Sequence, residues 1–324
     1  MNDRQLKIGV ALGSGSARGW AHIGVLQALR DMGITPHVIA GCSVGAMVGA
    51  SYALNKLDEL EDWATSLTWR DVFGLLDVNL NGGLFEGRKL FEFMQSHMSS
   101  MTFDDLSLPF AAVATDLENG REVWLRRGPL ATAIRASASL PGLLTPYRTP
   151  KGRYLLDGGL VNPVPVSVCK AMGADAVIAV NLNSEIVGKH LRNPRRLGVW
   201  GDASIRKKES AEQAADAGDD HEDEGEQPSE WLQKLSQLFG FESEGEREEE
   251  EDNPGMIEVV ASAINIMQDR VTRSRMAGDP PDIMLSPRLA HLGLMEFNRA
   301  GEAIEMGHQV VSRASHQLEY LLGR

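Results

Sequence analysis

The chain has 324 residues, 43% of them hydrophobic, and a net charge of −13, which is enough apolar material to bury the core of a mixed α/β protein. Its two cysteines, Cys42 and Cys169, exclude a disulfide-stapled scaffold and fit a reducing cytoplasm. The longest stretch without charged residues, 32–55, is broken by glycines and a proline, which argues against a membrane-spanning helix. The first residues lack the apolar core of a signal peptide, so we expect a cytoplasmic protein, and we see no metal-ligand cluster in the sequence.

The first predicted strand leads into a glycine-rich loop. Residues 6–12 form an apolar run typical of a buried parallel strand, and residues 20–29 predict a helix. Between them lie Gly13, Ser14, Gly15, Ser16, Ala17, Arg18 and Gly19. Such a loop presents unpaired N–H groups at a helix N-terminus and binds anions. The anion is either a pyrophosphate or the oxyanion of an ester under attack, unless the glycines serve close packing alone.

A Gly-x-Ser-x-Gly motif follows the second predicted strand, residues 37–40. It consists of Gly41, Cys42, Ser43, Val44 and Gly45, and a helix is predicted directly after it. This is the context of a nucleophile elbow, in which the glycines permit a strained turn that exposes one hydroxyl. A dinucleotide site would need an acidic residue here, and the sequence has Ser43 instead. An ordinary serine turn is the alternative.

An acidic residue ends a later apolar strand. Leu155 and Leu156 precede Asp157, Gly158 and Gly159. Because open parallel sheets bind ligands at the carboxyl ends of their strands, we expect Asp157 to converge with Ser43, although Asp-Gly-Gly is also common turn chemistry. A packed or surface role suits each of the eight histidines better than catalysis. A serine–aspartate dyad is therefore the simpler hypothesis.

The remaining segments complete an α/β pattern. Further strands are predicted over residues 109–115 and 175–180, with helices at 89–97, 130–138 and 164–172. A helix near 256–276, a short strand at 282–285 and a long helix near 298–322 follow. We expect a catalytic core over residues 1–200, with residues 256–324 packed on it because a lone strand needs neighbours.

The acidic charge is concentrated between these two parts. Residues 209–252 hold 18 acidic and two basic residues, a local charge of −16 that leaves +3 for the rest of the chain. We expect residues 201–255 to form a mostly disordered insert with a short amphipathic helix over 229–241. That helix either docks on the core or covers an acyl groove at a membrane, and the acidic runs suit a basic protein partner. Nucleic acid is not expected as a partner.

The three motifs, in this order, resemble the signatures of the patatin-like phospholipase family. The segment from Ala133 to Gly142 and residues 265–287 extend the likeness, which is greatest to the bacterial RssA-type branch, related to the neuropathy target esterase catalytic domain. The resemblance implies a three-layer α/β/α fold with a mostly parallel central sheet and the elbow after an early strand.

The resemblance also implies an activity. Ser43 would be the nucleophile, Asp157 the base, and N–H groups of residues 13–19 the oxyanion hole of a phospholipase, lysophospholipase or carboxylic esterase without a cofactor. The substrate would be a lipid or other ester, met by peripheral contact with the inner face of the membrane. Arg18 either braces the loop or meets a phosphate.

One departure from the family pattern concerns the loop. The family usually has glycine at the positions of Ser14 and Ser16, and a side chain there would be strained at a positive φ or would narrow the oxyanion hole. A low-activity regulatory or scaffold protein is therefore one alternative, which the acidic runs also favour. A lipid transacylase with the same dyad is the other alternative.

Overall fold

The computed structural model describes residues 6–68, 71, 94, 96–142, 144–184 and 256–323. The acidic insert expected at 201–255, with its helix at 229–241, lies outside the described residues. Most of the helix predicted at 89–97 also lies outside them.

Strands and helices alternate along the chain. The strands are β1 (Ile8–Leu12), β2 (Val38–Cys42), β3 (Phe110–Asp116), β4 (Glu122–Leu125), β5 (Tyr147–Arg148), β6 (Tyr154–Asp157), β7 (Ala176–Val180) and β8 (Ile283–Leu285). The helices are α1 (Ala21–Asp31), α2 (Val44–Ala53), α3 (Leu57–Ser66), α4 (Leu130–Ser137), α5 (Val166–Ala171), α6 (Met256–Gly278), α7 (Ala300–Arg313) and α8 (Ser315–Leu321). Short 3₁₀ turns at Ser16–Trp20 and Gly158–Leu160 follow β1 and β6.

Most of the central sheet is parallel. Strands β8, β7, β1, β2 and β3 pair parallel in that order, so the C-terminal strand joins the same sheet as the N-terminal ones. The strands β4, β5 and β6 are antiparallel additions. The predicted mostly parallel α/β sheet is confirmed, and the antiparallel part at β3 is what the sequence pattern did not reveal.

Two strands share one edge of β3. Strand β4 lies along the opposite edge, while β2 pairs with the first half of β3 and β6 with the second half. Cys42, the last residue of β2, is opposite Val113, and Asp157, the last residue of β6, is opposite Ala114. Since β6 runs against β3, the carboxyl ends of β2 and β6 meet head on.

Helices cover both faces of the sheet. Val10 and Leu12 of β1 face the larger hydrophobic core, which includes α1, α2 and α7, whereas Ala11 faces the smaller core beside α5. This alternation follows from the two-residue period of a strand. The arrangement is the predicted three-layer α/β/α fold. Among the described helices, none combines the length and apolarity that crossing a bilayer requires.

The C-terminal helix differs from the prediction. The periodic segment expected as one long helix near 298–322 forms α7 and α8, which meet at Ala314. There the backbone leaves the helical region at φ −94° and ψ 5°. The N–H of Ala314 bonds to the carbonyls of both Val310 and Val311, so the last turn of α7 is tightened. Helix α3 and the strands β4 and β5 are elements that the sequence analysis did not predict.

Helices α1 and α7 cross with their backbones in close approach. A methyl group at Gly24 would overlap the carbonyl group of Ile304, and one at Gly307 would overlap the carbonyl oxygen of Ala21. Both obstacles are main-chain atoms of the opposite helix, so relief would require the helices to separate. The two glycines therefore set the distance between the first and the last large helix of the fold.

We expect Gly24→Ala and Gly307→Ala each to destabilise the protein by about 1–3 kcal/mol, because overpacking forces backbone shifts. The matched control is Gly301→Ala in the same α7, where a methyl group meets nothing within 4 Å. Alanine there should be neutral or stabilise by up to about 1 kcal/mol through helix propensity. Thermal unfolding measures all three variants. Equal melting temperatures would contradict the close helix crossing.

Candidate active site

Ser43 lies in a strained turn between β2 and α2. Its backbone has φ 57° and ψ −124°, a conformation that a serine adopts only under tertiary constraint. A methyl group at Gly41 would overlap the carbonyl group of Gly45, and one at Gly45 would overlap that of Leu12. The two glycines of the motif therefore allow the turn to close against β1. The hydroxyl-bearing residue is held at the N-terminus of α2, where the helix dipole is positive.

Asp157 faces this turn from the end of β6. Its carboxylate is almost fully buried, and Oδ1 accepts hydrogen bonds from the N–H of Gly159 at 2.7 Å and, weakly, from the thiol of Cys42 at 3.8 Å. Burial raises the pKa of Asp157 to about 6, against the lowering effect of hydrogen bonds from the Ser43 side chain, Gly159 and Cys42. The predicted pair, Ser43 and Asp157, is thus brought together. The antiparallel direction of β6 achieves this, and not the parallel one that the sequence argument assumed.

The C-terminal end of α4 and the residues directly after it bond to both members of this pair. The hydroxyl of Ser137 accepts the N–H of Ser43 at 2.9 Å and donates to the carbonyl of Val113 at 2.6 Å. Two residues later, the carbonyl of Ser139 accepts the N–H of Asp157 at 2.9 Å. In the sequence, this segment contributes only to the family resemblance, and no local signal assigns Ser137 a role. The positive φ at Ser43 turns its N–H out of the strand ladder, and Ser137 satisfies it.

Most N–H groups of the glycine-rich loop are already occupied. Gly13 donates to Val180 O, Ser14 to Pro163 O, Ala17 to Leu294 O, and Arg18 to Gly15 O. Within the part of the chain that the structure describes, the N–H groups of Gly15 and Ser16 have no protein acceptor. Gly19 lies inside the 3₁₀ turn Ser16–Trp20, whose internal hydrogen bonds use its N–H. Of the seven predicted loop residues, Gly15 and Ser16 therefore supply the candidate oxyanion donors.

The two serines that depart from the family pattern differ in their backbones. Ser16 has φ 50°, a left-handed conformation that costs a non-glycine residue roughly 1–2 kcal/mol, so the expected strain is present there. Ser14, in contrast, does not have a positive φ. Its buried side chain donates a hydrogen bond to Gln268 of α6 at 2.9 Å.

Arg18 and His22 are buried side chains that stabilise the glycine-rich loop and its surroundings through hydrogen bonds. Arg18 is buried and donates to the carbonyl of Leu292 at 2.9 Å and to Asn183 Oδ1 at 3.4 Å, while burial lowers its pKa to about 10 against the attraction of Glu296. His22 Nε2 lies 2.7 Å from Gly13 O and must donate, because a carbonyl only accepts. Burial lowers the pKa of His22 to about 4, which keeps the ring neutral near neutral pH. Neither side chain is among the described residues that line the cavity.

A single cavity connects the predicted motifs. It encloses about 760 Å³, part of it open to solvent, and its lining includes Ser14, Gly15, Ser16, Ser43, Val44 and Asp157. The apolar part of its wall includes Met47, Ile134, Leu140, Leu144, Ile264 and Phe297. Asn265 and Gln268 of α6 add two amide side chains. The other predicted motif residues, including Gly41, Gly45, Gly158 and Gly159, lie outside this lining and shape the backbone beneath it.

Cys42 is not a competing nucleophile. Its thiol is fully buried, and burial together with the nearby carboxylates of Asp157 and Glu122 raises its pKa well above the usual value. A thiol attacks as the thiolate, so Cys42 remains protonated and unreactive. Among the described residues, no group of three or more His, Cys, Asp or Glu residues is placed to bind a metal ion.

The chain is similar to known proteins over most of its length. The family model described as patatin-like phospholipase matches residues 10–170, which include the glycine-rich loop, the elbow and Asp157. An NTE family protein of Mycobacterium tuberculosis is 34% identical, and the alignment covers 97% of this chain and 92% of that protein. The human patatin-like phospholipase domain-containing protein 6 is 34% identical and the Drosophila melanogaster neuropathy target esterase sws 33% identical, each over 55% of this chain. The aligned part is 13% of each of these two longer proteins.

The raised pKa of Asp157 has a consequence for stability that can be measured. Its folded pKa of about 6 exceeds the usual aspartate pKa of 3.8, so the folded state binds more protons than the unfolded state between these values. Stability therefore falls as pH rises through this window, by roughly 3 kcal/mol in total at 1.36 kcal/mol per pKa unit. We expect Asp157→Asn, whose amide oxygen still accepts the Gly159 N–H, to gain stability relative to wild type as pH rises from 4 to 7. Urea unfolding at both pH values tests this, and a pH-independent difference would contradict it.

Proposed function

The chain belongs to the patatin-like phospholipase family, and from the site we propose that it cleaves carboxylic acyl esters of lipids with Ser43 as nucleophile and Asp157 as general base. Family membership supports lipid hydrolysis as the general activity. The observation that carries the finer proposal is the shared cavity, which is lined by a strained serine, a buried carboxylate and two residues whose N–H groups have no acceptor among the described residues. Acyl transfer needs a nucleophile, a base and an oxyanion donor, and each has a candidate here.

The first half-reaction forms an acyl-enzyme. Asp157 accepts the proton of the Ser43 hydroxyl as Oγ attacks the ester carbonyl carbon. The carbonyl oxygen becomes an oxyanion, to which the N–H groups of Gly15 and Ser16 donate hydrogen bonds. Preorganised donors of this kind stabilise the transition state more than the ground state. Collapse of the intermediate breaks the ester C–O bond, and Asp157 returns its proton to the leaving alcohol.

The second half-reaction reverses these roles with water. Asp157, again ionised, takes a proton from a water molecule that attacks the acyl carbon of the Ser43 ester. The carboxylic acid leaves, and the proton returns to Ser43 Oγ. A neutral His22 bonded to Gly13 O is not needed in either step, since the carboxylate alone carries the proton.

The apolar wall of the cavity indicates that the substrate carries an acyl chain next to the ester group. Met47, Ile134, Leu140 and Phe297 present apolar surface next to the reacting groups. Burying a methylene group in such a wall contributes about 0.8 kcal/mol, so a chain of several carbons binds without a charged contact. Phospholipids, lysophospholipids and simpler carboxylic esters all share this acyl group, and the proposal covers that class.

The nucleophile assignment is tested by covalent labelling. A fluorophosphonate should modify Ser43 in the wild type, and Ser43→Ala should abolish both the labelling and the hydrolysis of a short-chain nitrophenyl ester. Asp157→Asn should fold and lower kcat by about 10²–10⁴-fold, the usual contribution of general base catalysis. The matched control is Ser51→Ala, which removes a buried hydroxyl of the same α2 that donates to Met47 O at 3.0 Å and does not line the cavity. Labelling of any residue other than Ser43 would refute the assignment.

The pH dependence of the reaction gives a second test. Because Asp157 must be ionised to accept a proton and its pKa is raised to about 6, kcat/KM should increase with pH and level off above a midpoint near 6. The measurement is ester hydrolysis from pH 4.5 to 8.5 at constant ionic strength, with the spontaneous rate subtracted. A profile that is flat between pH 5 and 8 would show that another group is the base.

A further inference from the structure

Gln268 of α6 is a buried amide in the wall of the cavity, outside residues 10–170 that the family model matches. Its Oε1 accepts a hydrogen bond from the Ser14 hydroxyl at 2.9 Å and another from Asn183 Nδ2 at 3.1 Å. Ser14 and Gln268 are 254 positions apart in sequence. A buried amide oxygen with two donors is fully satisfied, so Gln268 Oε1 links the side chains of Ser14 and Asn183.

The same contacts fix the loop from several sides. Asn183 Nδ2 also lies 3.4 Å from Ser14 O, and Asn183 Oδ1 accepts from Arg18 at 3.4 Å. The backbone N–H of Ser14 is held by Pro163 O at 2.9 Å. Ser14 is thus bound through its N–H, its carbonyl and its hydroxyl, directly before the two residues whose N–H groups have no protein acceptor among the described residues. Any rotation at Ser14 reorients the N–H groups of Gly15 and Ser16.

Gln268 also touches the opposite half of the site. A methyl group at Gly159 would overlap Gln268 Nε2 and would lie 3.0 Å from Asp157 Oδ1. The amide is therefore wedged between the glycine-rich loop and the Asp-Gly-Gly turn. Helix α6 has an independent anchor in the ion pair of Arg275 with Glu122 of β4 at 2.8 Å, so Gln268 projects from a fixed support.

We propose that Gln268 is a positioning residue that holds the oxyanion donors of Gly15 and Ser16 at the correct distance from Asp157. This rests on the proposed function, because it assigns those N–H groups to the reacting oxygen. The proposal also assigns a structural role to Ser14, at a position where the family usually has glycine. The Ser14 hydroxyl connects the glycine-rich loop to α6 through its hydrogen bond with Gln268. The side chains act through backbone groups and touch no reacting atom.

The test is a double-mutant cycle of Ser14→Ala and Gln268→Leu. Each single variant should lower kcat for ester hydrolysis by roughly 10- to 100-fold with KM changed less than about 3-fold, since misplaced donors weaken only the transition state. The double variant should lose little more than either single one, because both remove the same hydrogen bond. Losses in kcat that multiply in the double variant, or single variants with wild-type kcat, would overturn the proposal.

The matched control is Gln27→Leu, which removes another buried glutamine with two side-chain partners on other helices, Glu61 and His308, away from the cavity. It should lower the melting temperature and leave kcat unchanged. A loss of kcat in Gln27→Leu equal to that in Gln268→Leu would mean that the effect is general destabilisation. If Gln268→Leu fails to fold, Ser14→Ala removes the same bond from the loop side and decides the outcome.

Hydrogen exchange separates this proposal from the proposed function. The amides of Gly13, Ser14, Ala17 and Arg18 are hydrogen-bonded and should exchange slowly in the wild type, and faster in Gln268→Leu and Ser14→Ala but not in Gln27→Leu. If the wild type neither hydrolyses esters nor reacts with a fluorophosphonate, the proposed function fails. Faster loop exchange would then still support the positioning role, and unchanged exchange would overturn it.

Discussion

The site depends on two strands that end against each other along one edge of β3. Val113 pairs with Cys42 and Ala114 pairs with Asp157, so consecutive residues of one strand fix the serine turn and the carboxylate side by side. The Val113 carbonyl also accepts the Ser137 hydroxyl, and a methyl group at Gly158 would overlap that carbonyl. The glycine-rich loop, the α4 segment and α6 are all arranged around this junction.

The site around this junction contains two backbone conformations and one buried carboxyl that are unfavourable in isolation. Ser43 and Ser16 have positive φ, and Asp157 is a buried carboxyl whose raised pKa reflects the cost of charge in the interior. These unfavourable features persist because the surrounding structure constrains them. Closely packed glycines and hydrogen-bonded N–H groups fix the backbone, and hydrophobic cores cover both faces of the sheet. The same features that strain the site also preorganise it, since little has to move when charge develops on an ester oxygen.

Local sequence patterns predict much of the fold and of the candidate site. The loop 13–19, the elbow at Ser43 and the Asp-Gly-Gly turn were each recognisable from glycine spacing next to an apolar strand, and the family and the three-layer fold are confirmed. Other features had weak signals. The strands β4 and β5 are short and half-buried, and the break at Ala314 has neither a glycine nor a proline to announce it. The direction of β6 could not be read at all, because a strand of four residues looks the same in a parallel or an antiparallel pair.

By itself, the sequence determined which residue types stand at the turns and strand ends, because backbone conformation and periodicity are local properties. It therefore identified Ser43, Asp157 and the loop as a set. Only the tertiary structure decided which loop N–H groups remain available, that Ser137 and Ser139 hold the two halves of the site, and that Gln268 reaches Ser14 across most of the chain. These depend on hydrogen bonds between segments far apart in sequence, and such bonds are set by packing of the whole fold and not by any local pattern.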